Sequence, residues 1–340
     1  MERCIHTTHP THHSASPTHH QRTAPLRDLP QPVLSPLTTA SLFLVLTVEP
    51  GGEPVARELL ADLSGLRRTV GFGHPDGRLG VVAGIGSRAW DRLVAGPRPA
   101  RLHPFREVRG ARHHAPATPG DLLFHIRAAR ADLCFALGAQ IMDRLRGSVS
   151  LADEVTGFSY LDQRDLLGFV DGTENPVGPE AEDAVLIGSE DPDFAGGSYV
   201  IVQKYLHDLD AWNRLPVEEQ ERIIGRRKLD NTETDTPGSH VVLNTLTDPD
   251  GTERKILRDN MPFGSPGRAE FGTYFIGYAR TPDVTEEMLR RMFLGHDGAT
   301  HDRILDFSTP VTGTLFFVPP AGLLDDLPGT DDTEEAADRP

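Results

Sequence analysis

A chain of 340 residues with 38% hydrophobic side chains is long enough to bury a real core, in one large domain or two of ordinary size. Its formal net charge of −16 and pI near 5.3 argue against nucleic acid or an anionic membrane surface as partner. Only two cysteines occur, Cys4 and Cys134, which excludes a disulfide framework and a cysteine-based metal site and fits a reducing compartment.

The first forty residues hold six of the fifteen histidines and six prolines, with no hydrophobic period. Such a composition cannot bury enough surface to order itself, so residues 1–30 are expected to be a disordered His/Pro-rich tail. Its His6, His9, His12, His13, His19 and His20 offer imidazoles to a transition metal, but no acidic or cysteine partner fixes a geometry. No apolar stretch precedes Ser41 and there is no twin arginine, so a cytoplasmic location is expected. The run Leu42 to Leu46 with Val48 falls far short of the ~20 residues that cross a bilayer, and no membrane partner is expected.

Leu42 to Val48 reads as a strand, after which Leu59, Leu60, Leu63 and Leu66 share one helical face. Leu79 to Ile85 and Asp121 to Ile126 read as further strands, the latter followed by a helix in which Leu133, Leu137 and Ile141 repeat every four residues. The second half repeats this logic, with strands at Tyr199 to Tyr205, Lys255 to Leu257, Thr273 to Tyr278 and Leu315 to Val318. Its clearest helix begins near Asp283, where Asp283 and Glu286 have capping-box spacing and Val284, Met288, Leu289 and Met292 share a face. The strand and helix from Phe124 echo those from Phe275, so two similar α+β units packed together are expected; the same spacing is also compatible with a parallel sheet. Residues 325–340 carry seven acidic residues and one arginine and read as a solvated tail.

The densest punctuation lies at Gly168-Phe169-Val170-Asp171-Gly172-Thr173-Glu174-Asn175-Pro176, where two glycines and a proline force turns around two carboxylates. Taken alone it is a loop with Asp171 as a turn or cap residue. Gly168-x-x-Asp171-Gly172, extended through Pro176, resembles the GxxDG signature of dye-decolourising peroxidases. The same family pattern is matched by Gln31-Pro32-Val33-Leu34-Ser35-Pro36-Leu37, by Ser239-His240-Val241-Val242, by Leu257-Arg258-Asp259-Asn260-Met261-Pro262-Phe263-Gly264 and by Asp302-Arg303-Ile304-Leu305-Asp306-Phe307-Ser308. The resemblance runs from about Gln31 to Pro320, and the Arg-x-Asn element is similar to the bacterial type B branch.

The resemblance implies two ferredoxin-like units in tandem, with antiparallel sheets, helices on the outer faces and a haem between sheet and helices. The units fall at 31–155 and 156–320, the second carrying most haem contacts, with an acidic tail at 321–340. It implies a haem-dependent peroxidase, taking hydrogen peroxide and an unidentified reducing substrate, either an organic dye or phenol-like donor or a metal ion, with non-covalent haem b (iron protoporphyrin IX) as cofactor. His240 is implied as the proximal ligand of the haem iron, because neutral imidazole is the usual axial choice in peroxidases. Its other ring nitrogen needs a carboxylate partner; Asp302 and Asp306 both qualify, with Asp302 preferred because Asp306 can simply begin the turn before Ser308. Across the haem, Asp171 is the implied acid–base group, Arg258 the cation that stabilises developing negative charge, and Asn260 an added neutral donor. The plainer readings are a propionate or surface ion pair for Arg258 and a turn residue for Asn260. A carboxylate base in place of a histidine predicts an acidic optimum, since its unperturbed pKa lies near about 4.

Trp212, Tyr160, Tyr199 and Tyr205 are possible electron-relay residues, although core packing explains their spacing more simply. Glu174 and Glu253 offer hard oxygen ligands to manganese. A haem-handling or sensing protein is the rival reading; a plain metal binder using the N-terminal histidines is another. Self-association is expected from the family surfaces. No shell partner is inferred, because Asp331 to Pro340 lacks a docking segment of Gly, Leu and Ile.

Overall fold

The computed structural model describes residues 29–327, so the readings for the His-rich tail and for the end of the acidic tail lie outside the described residues. The first strand, β1 (Ala40–Val48), is apolar at nearly every position because both of its faces are buried. Leu42, Leu44, Leu46 and Val48 enter one core, Phe43 and Val45 the other. It is followed by α1 (Glu53–Gly71), β2 (Gly80–Gly86), α2 (Ser87–Leu93), the short hairpin β3 (Val108–Arg109) and β4 (His114–Ala115), β5 (Leu122–Ala128), α3 (Ala131–Arg144) and β6 (Val149–Phe158). The second half runs α4 (Pro179–Val185), β7 (Ser198–His207), α5 (Leu209–Asn213), α6 (Val217–Ile224), α7 (His240–Asn244), β8 (Leu246–Thr247), β9 (Glu253–Arg254), β10 (Leu257–Arg258), β11 (Met261–Ser265), β12 (Glu270–Ala279), α8 (Pro282–Leu294), β13 (Ser308–Pro310), β14 (Thr314–Val318) and α9 (Ala321–Asp325).

The fold is α+β, and every described strand pairing is antiparallel, so the parallel arrangement that the spacing left open is not formed. One large sheet has the order β10-β12-β7-β14-β2-β5-β1-β6, with β11 on β12 and β13 on β7. The two halves meet at β14, which pairs with β7 on one side and sets Phe316 opposite Gly86 of β2 on the other. The amphipathic faces of α1, α3 and α8 cover one side, burying the expected Leu59, Leu60, Leu63, Leu66, Leu133, Leu137, Ile141, Leu289 and Met292. On the other side β11 reaches β6, with Met261 packed on Gly157.

Two local expectations are corrected. The strand expected at Lys255 to Leu257 is broken: β9 ends at Arg254 and β10 begins at Leu257, because Ile256 turns into a small core with Leu246 and Ala279 while Lys255 pairs with Glu180. The helix expected near Asp283 is capped two residues earlier, by Thr281, whose hydroxyl accepts from Asp283 N, with Pro282 at its first position. Glu286 makes no capping box and instead faces Arg106 and His103.

A buried ion pair links the halves. Arg127 of β5 and Asp259, which follows β10, are each 1% exposed, with Nη1 to Oδ2 at 2.5 Å, and Arg127 also donates to the Pro32 carbonyl. Burial pushes the Asp259 carboxyl upward, and the adjacent guanidinium opposes that shift. Arg127→Met strands this carboxylate in the core. The expected loss is about 3–5 kcal/mol of unfolding free energy by chemical denaturation, recovered in part by adding Asp259→Leu; no loss in the single variant refutes this account of the join.

Candidate functional site

His240 owes its position to a short capped helix. Ser239 precedes α7 and its Oγ accepts from Val242 N, and one turn later the Asn244 amide donates to the His240 carbonyl at 2.8 Å. The ring Nδ1 meets Asp302 Oδ2 at 2.7 Å. Asp302 is fully buried; its Oδ1 accepts from Ile304 N at 3.0 Å and its own amide donates to the Met292 carbonyl at 2.7 Å, tying it to the end of α8. Both carboxylate oxygens are thus committed, and Nδ1 with them, which leaves His240 Nε2 as the ring's available ligand atom. Asp306 is turned elsewhere: its Oδ1 lies 3.0 Å from His113 Nε2 and 3.1 Å from His301 Nε2.

The Gly-rich loop holds Asp171 through backbone conformations that only glycine adopts cheaply. Gly168 has φ +92° and Gly172 φ +77°. Asp171 donates its amide to the Gln163 carbonyl and accepts from Gly172 N at 2.7 Å on Oδ1 and from the Asn260 amide at 3.0 Å on Oδ2. Asn260 is itself oriented by Ile276 N, which donates to its Oδ1 at 3.1 Å. Asn175 clamps the backbone of Arg258 from both sides, donating to its carbonyl at 2.6 Å and accepting from its amide at 2.9 Å. The Arg-x-Asn spacing follows from the extended chain: Arg258 and Asn260 face the cavity while Leu257, Asp259 and Met261 are buried behind them. The Arg258 Nε is buried with no hydrogen-bond partner among the described residues.

These side chains line one cavity, whose empty space is ≈ 1130 Å³ with its open mouth included. Its floor is the sheet, with Gln203, Tyr205 and His207 of β7 and Thr273 and Phe275 of β12; α7 and α8 roof it with His240, Val241, Met288, Leu289 and Met292. Burial drives the His207 imidazole down to about 4, so this ring is neutral and bonded to Thr273 and Ser308.

Sequence reasoning gave no role to Asn175, Asn244 or Asp165. Asn175 was legible only as part of a turn, because its partner is 83 positions away. Asp165 lines the cavity; burial raises its carboxyl to about 7, and the nearby Asp171 adds to that, against hydrogen bonds from Phe169 N and Gly168 N. Trp212, Tyr199 and Tyr205 are core residues bonded to the Leu167 carbonyl, Arg101 N and Gln203 respectively, and Tyr160 bridges Arg164. Glu174 and Glu253 border one shallow pocket, but each has a cation partner, Arg226 for Glu174 and Lys255 for Glu253.

The raised Asp165 carboxyl has a pH signature. A group raised in the folded state favours folding below its unfolded value near 3.8, and that contribution is lost as pH climbs through about 7. Asp165→Asn is expected to flatten the fall in melting temperature between pH 4 and 7; an unchanged slope contradicts the assignment.

The chain matches the family models described as Dyp-type peroxidase, N-terminal over residues 30–159 and C-terminal over residues 162–322. It is 60% identical over 304 residues to a dye-decolorizing peroxidase of Rhodococcus erythropolis, covering 88% of this chain and 89% of that one. It is 59% identical over 303 residues to one of Mycobacterium tuberculosis, covering 88% and 90%. Among solved structures, the encapsulated DyP-type peroxidase of Mycobacterium smegmatis matches with a TM-score of 0.87 at 59% identity, covering 88% of this chain and 99% of that chain. A variant of DypB from Rhodococcus jostii RHA1 in complex with heme matches with a TM-score of 0.86 at 57% identity, covering 88% and 99%. With both family models and relatives near 60% identity spanning the same cavity, the chain belongs to the Dyp-type peroxidase family.

Proposed function

We propose that the chain is a haem-dependent peroxidase that reduces hydrogen peroxide in this cavity and oxidises a second, reducing substrate, with non-covalent haem b as cofactor. The observation that carries the reading is the meeting of a carboxylate-backed imidazole with Asp171, Arg258 and Asn260 in one cavity between sheet and helices. The residues present fit the group. A single free imidazole nitrogen, apolar walls from Ile256, Phe275, Leu289 and Met292, and an unpartnered buried Arg258 Nε suit a flat apolar ring that carries a metal and negative charge.

When bound, the haem supplies a redox-active iron at which peroxide is reduced. His240 Nε2 would hold the iron, and Asp302 fixes the ring's orientation and makes it a stronger electron donor. Asp171 would take a proton from one oxygen of hydrogen peroxide and give it to the other; the Asn260 amide and Gly172 N keep its carboxylate aimed. Arg258, always cationic and pinned by Asn175, stabilises the negative charge that builds on peroxide. A haem carrier has no use for this proton-handling pair beside a fixed guanidinium, so the haem-handling alternative is not favoured.

The two-unit organisation, 31–155 and 156–320, belongs to the same proposal; the recurring strand and helix of β5–α3 and β12–α8 support it. So do a cytoplasmic location, supported by a buried, unpaired Cys134, and self-association. No described helix is long and apolar enough to cross a membrane. A DypB variant among the similar solved structures is in complex with manganese; a metal ion and an organic donor both remain within the substrate class proposed for this chain.

The decisive measurement is the absorption spectrum of haem-loaded protein before and after one equivalent of hydrogen peroxide. Asp171→Ala and Arg258→Leu are expected to keep the Soret band and slow the peroxide-driven spectral change about 10²–10⁴-fold, whereas His240→Ala weakens haem retention. A Soret band that peroxide leaves unmoved in the parent chain overturns the peroxidase reading.

A further inference from the structure

Outside the haem cavity, three potential ligands from distant parts of the chain converge. His113 sits in the turn of the β3–β4 hairpin, while His301 and Asp306 flank the short turn that Asp302 caps. One ligand atom from each lies within 4.8 Å of the others. Asp306 Oδ1 is the focus, at 3.0 Å from His113 Nε2 and 3.1 Å from His301 Nε2. None of the three lines the haem cavity.

We infer that His113, His301 and Asp306 form a second metal site, for one divalent transition-metal ion of the zinc class. Donors around a tetrahedral zinc ion stand about 3.3 Å apart, given bonds of about 2.0–2.2 Å, so these atoms need only small ring rotations to face a common ion. Two imidazoles and one carboxylate are the donor set that borderline divalent ions prefer over magnesium or calcium, and three protein ligands leave a position for water. The surroundings are those of a held site. His301 is 9% exposed at its side chain, His113 19% and Asp306 22%, and the Thr300 hydroxyl lies 3.1 Å from His301 Nδ1, which orients Nε2 toward the carboxylate. Burial alone would raise the Asp306 carboxyl, but hydrogen bonds from both histidines and the Arg112 charge hold it below the ordinary range. Arg112 Nη2 lies 3.5 Å from the same oxygen; its side chain is 65% exposed and swings into solvent when a cation takes that place. The bound ion clips the β3–β4 hairpin to the segment 301–306, and Asp302, the partner of His240, lies inside that clip.

The test uses the full haem-loaded chain, stripped with a chelator and titrated with zinc by calorimetry, beside His113→Asn and Asp306→Asn. Histidines of the N-terminal segment that take zinc do so equally in all three proteins, so the readout is the difference. The parent chain is expected to take up one more equivalent of zinc than either variant and to show a zinc-dependent rise in melting temperature that both variants lack. Asp306→Asn carries the greater folding risk; His113→Asn, in a hairpin turn, decides the matter alone. Equal zinc stoichiometry and an equal melting shift in His113→Asn and the parent overturn the site and leave a metal-free His–carboxylate–His cluster. The Soret band, recorded in parallel, is read separately and bears on the peroxidase reading alone.

Discussion

The Arg127–Asp259 ion pair sits where the two halves of the molecule need each other. Asp259 stands between Arg258 and Asn260 in an extended segment, so burying it behind the sheet turns its two neighbours toward the cavity. A slip of one residue would bury a guanidinium and an amide and expose the carboxylate. Arg127 comes from the N-terminal half, and its second contact, to the Pro32 carbonyl, anchors the entering chain to the same point. The cavity's chemistry is therefore set by a charge pair that never touches it.

Around that fixed strand, each side chain of the proposed site is oriented by a hydrogen-bonded neighbour. Asn175 grips the Arg258 backbone, Asn260 is held by Ile276 N and in turn holds Asp171, and Asp302 holds His240 while being held by Ile304 N and the Met292 carbonyl. Hydrogen bonds of this kind are each worth about 0.5–1.5 kcal/mol in stability. Their larger effect is geometric, because general acid–base and electrostatic catalysis depend on position within fractions of an ångström.

The same segment that carries Asp302 carries His301 and Asp306, pointing to the opposite side. Two carboxylates four residues apart thus serve different clusters, one beneath His240 and one between His113 and His301. The preference for Asp302 rested only on Asp306 being able to begin a turn; both are aspartates of one short segment, and the turn geometry separates their directions.

The local elements were legible because periodicity is a local signal. The four-residue repeat of Leu133, Leu137 and Ile141 and the apolar run of β1 each report the faces they bury. The glycines at 168 and 172 likewise announce turns, and the extended alternation places Arg258 and Asn260 on one side once a strand is assumed. Lys255 to Leu257 and the cap at Thr281 differ from expectation because a pairing break and a cap are decided by partners, Glu180 and Ile256's neighbours in one case and a hydroxyl two residues before Asp283 in the other. What the sequence by itself determined is the strongly patterned elements, the strands β1, β2, β5, β7, β12 and β14 and the helices α1, α3 and α8, and the residue types available for chemistry; β6 and the short helix α7 under His240 carry no such pattern. What only the tertiary structure decided is the antiparallel register across β14 and β2, the choice of Asp302 over Asp306, and the clamp of Asn175 on Arg258, because each depends on contacts between residues tens to hundreds of positions apart, whose loop-closure cost is met only by the whole fold.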